Sequence, residues 1–128
     1  MVLDSSAVIA ILLGEPEAGA FEEAIQQTRR CLMSAASMLE CTVVLRKRLG
    51  GSGVSRLDKF IAEWPVSIRE FDRDQLNWAR HAVETYGRGQ RPAKLNFGDC
   101  FSYALAKSSG EPILFKGADF SLTDLATA

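Results

Sequence analysis

A single histidine, His81, is all that the 128-residue chain offers to histidine-based catalysis. A Ser-His-Asp or Cys-His catalyst would have to use it. It lies between Arg80 and Ala82 in a helix-like segment, and no glycine-bounded nucleophile turn occurs anywhere, so it reads as a surface residue. Cysteine is also scarce. Cys31, Cys41 and Cys100 are odd in number, sit in apolar surroundings and form no CxxC pair, which argues against zinc or bridges and for reduced core thiols. The Gly50-Gly51-Ser52-Gly53 stretch lacks the Gly-Lys-Ser/Thr ending of a phosphate-binding loop and is expected to be a flexible connector. No run approaches the roughly 20 apolar residues of a membrane helix, and no basic segment leads into a long apolar one; no membrane association and a cytoplasmic location are expected. There is no internal repeat or low-complexity segment. Net charge is nearly absent too, at −1, which predicts no strong non-specific attraction to nucleic acid. A polyanionic substrate stays possible if acids gather in a pocket and bases at its rim.

What is present is ordinary for a globular protein: 47% hydrophobic and 24% charged residues. The length suits one domain over residues 1–128 that buries a core without cross-links. Short strands are expected at 1–4, 31–33, 66–68 and 113–115. Helices are expected at 5–13, 17–28, 35–49, 54–64, 73–86 and from Asp99 to about Ser108, with Ser34 and Asp72 as N-caps. Arg46-Lys47-Arg48 suits a solvated helix C-terminus. Strands alternating with helices predict a three-layer α/β/α domain with a short, mostly parallel central sheet.

Four carboxylates stand at the borders of apolar segments. Asp4 ends the apolar start, Glu40 is the only charge between Cys31 and Leu45, Asp99 opens an apolar run, and Asp119 follows the last strand. A carboxylate removed from water needs a pair, hydrogen bonds or a metal. Several at one core edge point to a hard divalent cation and phosphoryl chemistry. Each also has a plainer reading. Asp4 can cap a helix; Glu40, in a stripe with Ala36, Leu39, Val43 and Val44, can pair with an arginine. Asp99 and Asn96 can start a helix, and Asp119 can close an Asx-turn. Around the Gly87–Lys94 loop, Arg88, Arg91 and Lys94 have glycine neighbours that free them to reach a polyanion.

Other phosphoryl enzymes fit less well. An aspartyl-phosphate phosphatase wants a second acid two residues after Asp4, where Ser6 stands, and a receiver domain needs adjacent acids after its first strand.

Val2-Leu3-Asp4-Ser5-Ser6-Ala7, the isolated Glu40, Asn96-Phe97-Gly98-Asp99-Cys100 and Phe115-Lys116-Gly117-Ala118-Asp119-Phe120 carry a resemblance along the whole chain. It resembles the PIN-domain ribonucleases, and among these the VapC toxins of bacterial type II toxin–antitoxin systems. The run from Tyr86 to Gly89 leading to Leu95–Tyr103 is similar to one VapC subgroup. The resemblance implies a Mg²⁺- or Mn²⁺-dependent endoribonuclease, a homodimer in a higher assembly with its VapB-type antitoxin. Asp4, Glu40, Asp99 and Asp119 would form the acidic metal site, with Asp124 as a rival fourth acid, and Ser6 and Asn96 would support it. Lys116 and the Arg88/Arg91/Lys94 loop would hold the RNA backbone. Tyr86 or Phe97 could stack on bases, although both suit a core as well. The alternative is a catalytically silent PIN-like module that binds RNA or protein.

Overall fold

A computed structural model describes residues 1–89 and 92–128. Four strands, β1 (Val2–Leu3), β2 (Cys31–Ser34), β3 (Val66–Arg69) and β4 (Ile113–Leu114), form one sheet in the order β3-β2-β1-β4. Every pairing between them is parallel. The helices are α1 (Ser5–Leu12), α2 (Ala18–Gln26), α3 (Ala35–Leu49), α4 (Gly51–Glu63), α5 (Arg73–Tyr86) and α6 (Phe97–Ser109), with a 3-10 turn at Phe120–Leu122.

Alternation along the strands builds the layers, because successive side chains point to opposite faces of a sheet. Leu3, Cys31, Met33 and Leu114 join residues of α1 to α4 such as Val8, Cys41 and Leu57 in one core. Val2, Leu32 and Ile113 join Ala79, Ala82, Tyr103 and Ala104 of α5 and α6 in the other. Both faces are covered, which is why these strands read as uninterrupted apolar runs. The expected three-layer α/β/α arrangement is present.

Chain order then fixes where a ligand can enter. Helices α1 to α4 lead the chain outward from β1 to β2 and β3 on one face. Helices α5 and α6 bring it back over the other face to β4, beside β1. The strand order therefore reverses between β1 and β4, and crevices open at the carboxyl ends of strands at such switch points. Asp4 follows β1 there, and Phe115 to Asp119 follow β4. The outer edge of β4 is covered: Ile113 N–H donates to the Ala126 carbonyl at 3.0 Å, and Ala128 N–H donates to the Ile113 carbonyl at 2.9 Å.

Two local expectations are corrected. The glycine stretch is no flexible connector, since α4 starts at Gly51. Gly50, at φ 66°, ends α3 and caps α4 at once, and a Cβ on Gly53 would lie 2.5 Å from the Leu45 carbonyl oxygen. The glycines let two helices meet in a tight corner. The second correction concerns α3, whose buried face is Ser37, Cys41 and Leu45. The apolar stripe around Glu40 faces outward instead, with Leu39 64% and Val43 60% exposed. Cys31, Cys41 and Cys100 are buried free thiols, as expected.

Candidate active site

Asp4 is held from both sides at the end of β1. It is the N-cap of α1: Oδ2 accepts from Ser6 N–H at 3.0 Å and from the Ser6 hydroxyl at 2.6 Å. Oδ1 is committed elsewhere, accepting from the Ser102 hydroxyl of α6 at 2.6 Å. Capping requires only the first oxygen, so the second hydrogen bond is what draws a buried carboxylate toward α6.

Glu40 reaches the same edge from α3. Its Oε1 accepts from the Ser5 hydroxyl at 2.5 Å, and among the described residues it forms no ion pair with an arginine. Its Oε2 lies against Gly98, where a Cβ would collide with it. The glycine opens the first turn of α6 to a carboxylate from another helix.

Asp99 and Asn96 form a reciprocal capping box at the start of α6. Asp99 N–H donates to Asn96 Oδ1, and Asn96 N–H donates to an Asp99 carboxylate oxygen, both at 2.9 Å. The plain helix-start reading is thus correct as far as it goes. Yet the Asp99 carboxyl is pushed up to about 6. Burial is the largest cause; the Asn96 N–H works against it; the charges of Asp4, Asp119 and Glu40 add to the rise. All four acids therefore share one electrostatic neighbourhood.

Asp119 opens the 3-10 turn with no side-chain cap bond of its own, and it borders a cleft with Arg88, Gly89, Lys94 and Asn96. Asp124 is differently engaged. Its carboxylate accepts from the Tyr103 hydroxyl at 2.9 Å and from Lys107 Nζ at 2.8 Å. Burial opposes its ionisation, but these two donors hold its carboxyl below the usual range. It fastens the C-terminal segment to α6, whereas the charge of Asp119 acts on Asp99.

The remaining candidates divide. The Ser6 hydroxyl accepts from Lys116 N–H at 3.0 Å while donating to Asp4, so it ties the ends of β1 and β4 together. The Lys116 ammonium is not extended toward the site. It pairs with Glu15 and, at 3.5 Å, with Glu17. Arg88 and Lys94 lie at the Asp119 cleft, while Arg91 falls outside the described residues. Phe97 is no core residue: it is 81% exposed, edge-on to Phe101. A separate cleft lined by Arg30, Arg69, Gln75 and Ser109 lies toward the far end of α6.

Sequence reasoning overlooked Ser5, Ser37, Ser102 and Gly98. The one available signal was a hydroxyl residue, Ser102, inside the apolar run that begins at Cys100. Four carboxylates that repel one another, with oxygen donors only, suit a hard divalent cation. Among the described residues no group of three or more ligating side chains stands ready-made around one point.

Comparison with known proteins fits this geometry. The family model described as PIN domain matches residues 1–125. Ribonuclease VapC30 of Mycobacterium tuberculosis is 48% identical over 127 residues, covering 99% of this chain and 97% of that protein. The crystal structure of Mycobacterium tuberculosis VapC20, a sarcin-ricin loop cleaving toxin, superposes with a TM-score of 0.81 at 16% identity, over 99% of this chain and 97% of that one. VapBC2 from Rickettsia felis, solved bound to a DNA fragment from its promoter, gives 0.74 at 16% identity, over 99% and 96%. These two likenesses concern the fold. The chain belongs to the PIN-domain family, among the VapC ribonucleases. PIN-domain VapC ribonucleases generally depend on a divalent metal.

Proposed function

We propose that residues 1–128 form one PIN domain that hydrolyses RNA phosphodiester bonds through Asp4, Glu40, Asp99 and Asp119, as the endoribonuclease toxin of a toxin–antitoxin module. The observation that supports this most is the Asp99 carboxyl, raised to about 6 with three other carboxylates among the causes. Asp4 and Asp99 would hold Mg²⁺ or Mn²⁺ directly, and Glu40 and Asp119 would complete its shell, directly or through water. A bound ion of this kind supplies an acidified water and charge neutralisation at the scissile phosphate.

The chain's own groups do the rest. Ser6 and Ser102 hold the Asp4 carboxylate, and Ser5 holds Glu40. The capping box fixes Asp99 at a helix N-terminus, where the dipole favours anionic groups. Arg88 and Lys94 flank Asp119 and would bind backbone phosphates on either side of the cut. Lys116 would reach RNA only by exchanging its surface ion pairs with Glu15 and Glu17 for backbone phosphates. Hydrolysis by this route leaves 5′-phosphate and 3′-hydroxyl ends.

The partner would be a VapB-type antitoxin, as in the Rickettsia felis complex. A groove lined by Glu40, Val83, Leu95 and Phe97 adjoins the acids, and Val83 is 55% exposed. Exposed apolar surface beside a site is what a protein partner covers. A homodimer and a cytoplasmic location complete the reading. No helix among the described residues is long and apolar enough to cross a membrane.

The test is cleavage of structured RNA by antitoxin-free protein in Mg²⁺, Mn²⁺ or EDTA, with Asp99→Asn alongside and product ends mapped. Cuts that need the divalent ion, carry 5′-phosphates and vanish in the variant are expected. Cuts surviving both EDTA and Asp99→Asn would refute the acidic site. Tight RNA binding without cleavage under any ion would favour a silent binding module.

A further inference from the structure

Two serines lie beneath the acids: Ser102, which holds Asp4 Oδ1, and Ser37, which has had no part so far. Ser37 is on α3, three residues before Glu40, and Ser102 is on α6, three residues after Asp99. Such spacing puts each serine about one helical turn from its acid, with Ser37 on the buried side of α3. Their hydroxyl oxygens are 3.2 Å apart, and both residues are essentially without solvent exposure, at 1% and 0%.

The direction of this hydrogen bond follows from proton counting. A serine hydroxyl has one proton to give and two lone pairs to receive with. Ser102 gives its proton to Asp4 Oδ1 at 2.6 Å, a distance that marks a charge-assisted bond. Its oxygen is then an acceptor toward Ser37, so Ser37 is the donor. The result is a buried chain, Ser37 to Ser102 to Asp4, in which each bond polarises the next. It joins α3, α6 and the end of β1, the three elements that carry Glu40, Asp99 and Asp4.

We propose that Ser102, backed by Ser37, is a positioning residue that sets the Asp4 carboxylate, and the α3–α6 spacing beneath Glu40 and Asp99, for a divalent cation. This rests on the metal-site reading given above. The role differs from that of Ser6, which holds the other oxygen of Asp4 and belongs to the helix cap. Partners behind a ligating carboxylate alter metal affinity by about 10- to 100-fold when removed.

The experiment is Mn²⁺ titration of antitoxin-free protein by calorimetry, with thermal unfolding in EDTA, for wild type, Ser37→Ala, Ser102→Ala, Ser102→Cys and the Ser37→Ala/Ser102→Ala pair. Ser102→Ala should weaken Mn²⁺ binding about tenfold or more, and Ser102→Cys, a weaker donor of similar size, should recover part of it. Ser37→Ala should weaken binding only when Ser102 is present. The double variant no longer strands the Ser37 hydroxyl but still leaves Asp4 Oδ1 without its donor, so its unfolding temperature in EDTA should rise only part of the way from that of Ser102→Ala toward wild type while its Mn²⁺ affinity stays low. If affinity recovers together with stability, the serines are merely structural and the proposal is wrong. Unchanged Mn²⁺ affinity in Ser102→Ala also overturns it. If folded wild-type protein takes up no Mn²⁺ at all, the metal reading itself fails, an outcome distinct from failure of the serine chain alone.

Discussion

Neutralising Asp99 should make the metal-free protein more stable, and the gain should depend on pH in a defined way. The folded-state carboxyl titrates near 6, against an ordinary aspartate value of about 3.9 in an unfolded chain. The folded form thus binds this proton more tightly. Its contribution is most favourable below about pH 4, where both states are protonated, and is lost as pH rises through about 6. The difference of roughly 2 units corresponds to ~3 kcal/mol at ~1.4 kcal/mol per unit, as an upper bound. Asp99 is only partly buried, so solvent screening reduces this to roughly 1–2 kcal/mol. Asp99→Asn keeps an oxygen that can accept from Asn96 N–H, so the capping box survives and the charge alone is removed. In EDTA at about pH 7.5 the variant should unfold several degrees (~4–8 °C) above wild type, and the gap should close by about pH 4. Saturating Mn²⁺ should reverse the order, since ligand binding stabilises only the protein that binds it. A variant less stable than wild type at neutral pH, or a gap unaffected by pH, would refute the crowded-carboxylate argument.

Gly98→Ala should separate activity from folding: a Cβ there drives Glu40 Oε2 away, so RNA cleavage should fall at least about tenfold, while helix propensity leaves stability unchanged or raised by up to ~1 kcal/mol. Denaturant unfolding beside a cleavage assay checks both halves, and full activity would show that Glu40 needs no such close approach. Tyr103→Phe removes the hydroxyl that Asp124 accepts from and should cost about 1 kcal/mol, with faster amide exchange at residues 113–128 as its local signature. Exchange confined to other segments would show that Asp124 does not tether this region. Reversing charge at Arg88 and Lys94 should weaken RNA binding and flatten its salt dependence, by about 0.7 in log–log slope for each phosphate no longer neutralised. An unchanged slope would remove the two bases from the substrate path.

The layers were legible because the strands and long helices carry strong local signals. Ser34 caps α3 as expected, Asp72 caps α5, and both helices keep their expected limits. The acids were legible as charges stranded in apolar segments. What escaped depends on how distant segments meet. A glycine cluster looks flexible in one dimension, and only the approach of Gly53 to Leu45 shows why the side chains are missing. The stripe around Glu40 has core periodicity, yet α3 turns Leu39 and Val43 to solvent, since burial depends on which neighbours arrive. The ion pairs of Lys116 were not legible because Glu15 and Glu17 are remote in sequence and close in space. Ser37 and Ser102 carry no meaning until α3 and α6 meet.

The parallel pairing of β1 with β4 has a consequence in time. The strand that leads to Asp4 is made first and is central in the sheet, but it lacks one neighbour until residues 113 and 114 have been added. Asp99 and Asp119 arrive late as well, and Ser6 cannot receive the Lys116 N–H before that segment exists. A chain emerging from the ribosome therefore lacks two of the four acids over most of its synthesis. Sheet closure over so long a sequence separation is also intrinsically slow. With the acidic site proposed above, the topology postpones assembly of that site until translation has passed Asp119.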